Sequence, residues 1–109
     1  MRIAAIALAL VLAAALPGGV DAADLNAGAA KAKEVCAACH GMDGNSPQPD
    51  YPKLGGQWAD FLAKALRDYK SGARKHPIMQ GFAAGLSRQD IDNVAAYYAS
   101  QPAQLTTKY

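Results

Sequence analysis

The sequence predicts an all-α domain, and three observations carry that prediction. Beyond residue 22 the β-branched residues are only Val35, Ile78, Ile91, Val94, Thr106 and Thr107, so strands have little to be built from. No stretch alternates polar and apolar residues with period two. Two stretches instead carry apolar stripes at helical spacing. A first, weaker helix is expected from about Asn26 into the cysteines, in a segment rich in Ala and Lys. The second runs from Gln57 to Ser71. There Trp58, Phe61, Leu62, Ala65, Leu66 and Tyr69 form one face, Asp60, Lys64, Arg67, Asp68 and Lys70 surround it, and Gly72 is the stop. The third runs from Ser87 to Ser100, with Ser87 and Asp90 as a capping-box variant and Ile91, Val94, Ala95 and Tyr98 as the buried stripe. Two irregular stretches separate them: Gly41–Gly56, with Pro47, Pro49 and Pro52, and Gly72–Gly85, with Pro77. Loops of this length in a compact domain usually wrap something.

The first 22 residues read as a cleaved leader. Arg2 precedes an apolar run from Ile3 to Leu16, and Pro17, Gly18 and Gly19 lead into Val20-Asp21-Ala22, a small-residue cleavage site. The run is shorter than the roughly 18 residues of a membrane span. Residues 23–109 then form a single exported domain, expected in the periplasm, with no membrane span. Its core is thin enough to need a disulfide, a metal or a large cofactor. The net charge of +2 gives no reason to expect a nucleic-acid partner.

The only two cysteines stand three apart, and a histidine follows the second: Cys36-Ala37-Ala38-Cys39-His40. A disulfide oxidoreductase would place such a pair after a strand, and strands are missing. Structural zinc would need Cys36, Cys39, His40 and His76 together. However, Cys39 and His40 are adjacent and cannot easily both face one metal, and the spacing fits no common zinc pattern. Cys-x-x-Cys-His is the signature of c-type haem attachment. Two thiols add to two vinyl groups, and the following imidazole is aimed at the iron from one face. Export agrees, because this attachment takes place outside the cytoplasm.

A second axial ligand should come from far along the chain. Met79, in the glycine-rich stretch His76-Pro77-Ile78-Met79-Gln80-Gly81, is the preferred one; opposite a histidine, its thioether raises the iron's reduction potential. His76 is the rival, and Met42 lies too near His40 to cross the haem. A Met at this position could also be core filler. If neither Met79 nor His76 binds, the iron is open to small ligands.

With these residues in view, the chain resembles the class I c-type cytochromes, and more closely the periplasmic members similar to one half of a two-haem cytochrome c. The resemblance runs through CAACHGMDGN, YPKLGGQ, YKSGARK, IMQG and LSRQDIDNVAAYYASQ. It implies the cytochrome c fold, with three main helices and long loops around one covalent haem c. It implies thioether links at Cys36 and Cys39, and His40 and Met79 as axial iron ligands. Pro52 would accept the proximal ring N–H, and Gln57 and Arg74 would lie near the propionates. Gly28 would let the first helix cross the last one closely, against Val94 and Tyr97. Ala32 stands where many relatives have an aromatic, which points to a looser crossing.

The function so implied is electron transfer between protein redox partners: a dehydrogenase or quinol-oxidising complex as donor, an oxidase or reductase as acceptor. No substrate bond is made or broken. The alternatives are a gas sensor or peroxidase-like enzyme with an open sixth site, or an electron-transfer subunit of one oxidoreductase. The subunit reading would be marked by an exposed apolar patch among Tyr51, Trp58, Phe82, Tyr98 and Tyr109. Lys64, Arg67, Lys70, Arg74 and Lys75 are either a docking face or a solvated helix surface that also offsets the propionate charges.

Overall fold

The structure is a computed structural model and describes residues 4–7, 9–10 and 22–104. The leader expected over residues 1–22 and the residue Tyr109 therefore lie largely or wholly outside the described residues. Among the described residues five helices follow in order: α1 (Leu25–Val35), α2 (Ala37–His40), α3 (Ala59–Ser71), α4 (Pro77–Ala84) and α5 (Arg88–Ala99). No strand occurs among the described residues.

Each long helix begins or ends where its chemistry dictates. Asp24 caps α1 by accepting from the Asn26 and Ala27 N–H groups. At α5 the capping box is complete: the Ser87 side chain accepts from the Asp90 N–H, and the Asp90 carboxylate accepts from the Ser87 N–H. That N–H is the leading cause of a lowered Asp90 pKa. α3 stops at Gly72 as the sequence predicts.

α1 crosses α5, and α3 packs on α5 and on α4. The crossing of α1 and α5 is close. A Cβ on Gly28 would stand 2.1 Å from the Asn93 carbonyl oxygen and 2.9 Å from the Tyr97 Cβ. Tyr97 is thus a neighbour of Gly28, as implied, but Asn93 rather than Val94 makes the nearest approach. Ala32 is fully buried, so the small residue there goes with tight packing and not with the looser crossing expected. The side chain of Asn93, itself buried, accepts from the Asp24 N–H at 2.8 Å and so ties the start of α1 to α5.

One expectation needs correction. The stretch Gly72–Gly85 is not a loop throughout, because residues 77–84 form α4. Pro77 takes the first helical turn, where its missing N–H costs nothing. His76 caps the helix, and Gly81 is tolerated at a cost of about 1 kcal/mol relative to alanine. Met79 therefore sits on a helix. The apolar stripe of α3 reaches beyond the protein core, to which it gives Leu62. Leu62 is buried, whereas Phe61 is 55% exposed and Trp58 is 81% exposed. Phe61, Leu62, Ala65, Leu66 and Tyr69 all line one cavity, and Trp58 stands outside it. The core proper is small: Ala32, Leu62, Ala63, Leu86, Ile91, Val94, Ala95 and Tyr98.

Candidate haem site

The site begins at the end of α1. Cys36 ends that helix and opens the single turn of α2, which brings Cys36, Cys39 and His40 onto one wall. The His40 N–H bonds to the Cys36 carbonyl at 3.0 Å, so the turn is helical from the first thiol to the imidazole. The two thiols are not joined to each other. Burial pushes the Cys36 thiol up to about 11, the opposite of the lowered pKa of a redox-active thiol. No group of three or more His, Cys, Asp or Glu that could hold a metal ion occurs among the described residues.

The loop after α2 folds back to serve the histidine. The Leu54 and Gly55 N–H groups both bond to the Gly44 carbonyl, at 2.7 and 3.1 Å. Gly44 has φ +76, and a Cβ there would meet the Gly55 nitrogen at 2.5 Å, so only glycine fits. This turn brings Pro52 beside His40, whose Nδ1 donates to the Pro52 carbonyl at 2.8 Å. With the proton fixed on Nδ1, Nε2 keeps its lone pair for a metal. His40 is buried, and the Tyr51 ring lies beside it at 6.3 Å.

α3 and α4 supply further lining of the same cavity. Met79, half-buried in the first turn of α4, lines the same cavity of about 670 Å³ as Cys36, Cys39 and His40. That volume lies in the range of small-molecule and cofactor pockets, roughly 300–1,000 Å³. The lining is mainly apolar, with Leu54, Leu66, Leu86 and Val94 among it, while exposed Gln57 and Arg74 stand at its edge. Paired thiols, a tautomer-locked imidazole, a thioether and an apolar cleft fit a haem. His76 also borders the cavity, but its Nδ1 accepts from the Met79 N–H at 3.3 Å.

Sequence reasoning missed the way α5 holds the proximal loop. Tyr98, fully buried and lining the cavity, donates its O–H to the Gly41 carbonyl at 3.0 Å. Tyr97 donates to the Met42 carbonyl at 2.6 Å. The signal was present in part, because a phenol on a buried stripe needs a partner for its hydroxyl, but the sequence does not say which one. Burial also removes Tyr98 from any exposed patch. Among the basic residues, Lys64 pairs with Asp68 and Arg67 with Asp92. Lys70 bonds to the Leu86 carbonyl, and Arg74 lies 4.9 Å from the centre of the Tyr69 ring.

The family model described as cytochrome c matches residues 25–101. Cytochrome c4 from Pseudomonas aeruginosa is 50% identical over 95 residues, covering 86% of this chain and 47% of that protein. Cytochrome c-554(548) from Halomonas halodenitrificans is 46% identical over 70 residues, covering 62% of this chain and 84% of its own. The crystal structure of reduced cytochrome c4 from Pseudomonas stutzeri superposes with a TM-score of 0.69 at 46% identity, over 74% of this chain and 47% of that one. The chain thus spans about half the length of the cytochrome c4 relatives it matches. On the match to residues 25–101 and on these relatives, the chain belongs to the cytochrome c family.

Proposed function

We propose that this chain is an electron carrier of the periplasm, passing single electrons between protein redox partners through one covalently bound haem c. When bound, the haem supplies an iron that cycles between ferrous and ferric states. Cys36 and Cys39 would anchor it, His40 and Met79 would be its iron ligands, and Gln57 and Arg74 would lie near its propionates. The Pro52 carbonyl holds the His40 proton on Nδ1 and keeps the ring from turning. Phe61, Leu62 and Leu66 exclude water from the cleft, which keeps its dielectric low. With His40 and Met79 both holding the iron no position on it would remain for a substrate, and the protein would act as a carrier rather than an enzyme.

The observation that carries this reading is the bond from His40 to Pro52 at 2.8 Å, on the wall of a cavity that Met79 also lines. His76 does not favour the open-site or bis-histidine alternatives. While its Nδ1 accepts a hydrogen bond, the neutral ring carries its proton on Nε2 and has no lone pair left for iron. A second reading, the electron-transfer subunit of one oxidoreductase, draws support from exposed Trp58 and Phe82. A relative named thiosulfate dehydrogenase electron acceptor, from Stutzerimonas stutzeri, is 44% identical over 77 residues. The donor of such a protein would be a dehydrogenase, which suits both readings.

The test is an optical spectrum of periplasmically matured protein, ferric and ferrous, with carbon monoxide added to the reduced sample, together with its mass. The expected result is a low-spin haem indifferent to carbon monoxide, on a chain of residues 23–109 carrying one haem. Ready carbon monoxide binding would replace the carrier by a sensor or enzyme, and a mass that retains residues 1–22 would remove the cleaved leader.

A further inference from the structure

The start of α4 has an unusual cap. The first N–H groups of any helix lack partners within it, and the residues that usually supply one are Ser, Thr, Asp and Asn. Here the supplier is a histidine, and the N–H it satisfies is that of Met79. Its ring is held from the side. The Tyr69 ring meets it edge-on at 6.3 Å and 71°, and the Arg74 guanidinium packs on the Tyr69 ring at 4.9 Å. The His76 carbonyl accepts from the Gln80 N–H at 2.8 Å and completes the first turn. A side chain used this way on Nδ1, and packed against α3, is part of the scaffold.

We propose that His76 is the positioning residue for Met79: by capping α4 it holds the first turn, and with it the thioether, at the cavity wall. This rests on the reading of Met79 as an axial ligand. Met79 is the third residue of α4, so fraying of that turn carries the thioether away from the site. A cap that suppresses fraying by some factor suppresses the Met-off population by the same factor. An added ligand that takes the place of Met79 sees that population directly, and its apparent affinity rises as the population does.

The experiment titrates imidazole into ferric mature holoprotein at one fixed pH, following the methionine-to-iron charge-transfer band in the parent, His76→Ala and His76→Asn. His76→Ala should bind imidazole about ten-fold more tightly than the parent, as for a lost helix cap. His76→Asn, which can cap, should come back to within about a factor of three of the parent. The position is exposed, so both variants should fold. A parent that lacks the band removes the axial reading itself, and this inference with it. A parent with the band and a His76→Ala protein of equal imidazole affinity overturns the positioning role alone. So does an Asn variant no better than Ala.

Discussion

At Gly28 the absence of one carbon atom decides how two helices meet. A Cβ there would lie 2.1 Å from the Asn93 carbonyl oxygen, a backbone atom that cannot swing aside. Gly28→Ala must therefore push α1 off α5. Overpacking of this kind costs about 2–3 kcal/mol, readable as a lower urea midpoint of the holoprotein. Tyr98 works by the opposite means, through an atom that is present. Its hydroxyl bonds to the Gly41 carbonyl, one residue past His40, and that carbonyl also accepts from the Gly44 N–H. Tyr98→Phe should cost about 1 kcal/mol by removing one of these two bonds. A pH signature distinguishes it from simple loss of packing. Burial pushes the Tyr98 phenol above its ordinary value of 10.0, so the folded state keeps a proton that the unfolded chain releases. The stabilisation is complete below that pH and declines as pH rises beyond it. The parent should lose stability at alkaline pH more steeply than Tyr98→Phe, and equal slopes would show that another group sets the alkaline limit.

Among the elements, α5 carries the most and is the most legible. Its cap, its stripe and its end follow from Ser87, from Ile91, Val94, Ala95 and Tyr98, and from the approach of Pro102. Ser87→Ala removes the bond to the Asp90 N–H and should lower stability by about 1 kcal/mol, which denaturant melts would resolve. α3 was legible in extent but not in what it faces. Periodicity finds an apolar face and does not distinguish a protein neighbour from a cofactor, so the stripe alone does not say that Phe61 and Tyr69 line a cleft. α4 escaped because its signals are individually those of a loop. Pro77, Gly81 and Gly85 are breakers by composition, and only the contact of His76 with Met79 turns the proline into a helix start. α2, a single turn, is too short for any period. The haem motif was legible because its spacing is local. Those parts of the site that join distant residues, Tyr98 to Gly41 and Tyr97 to Met42, had no local pattern to betray them.

For the molecule as a whole, the cavity is large relative to what surrounds it. The largest fully buried side chains are Tyr98 and Ile91, and a cleft of about 670 Å³ runs beside them. Without a haem the apolar lining of that cleft would face water, at a cost of roughly 25 cal/mol per Å² of apolar surface left uncovered, which matters in a domain of marginal stability. A Cys36→Ser, Cys39→Ser double variant, which cannot be loaded covalently, should show little helix by far-ultraviolet circular dichroism. A double variant with the helix content of the parent would mean that the protein core suffices. The crossing at Gly28 sets an order of events as well. During export α1 and the haem motif cross the membrane before Asn93 and Tyr97, against which Gly28 closes. Until α5 follows, the exported chain presents both thiols and the imidazole without the helix that closes on them, open to the attachment machinery. α5 then acts as the latch, so the window for modification is written into the length of chain between the haem motif and Asn93.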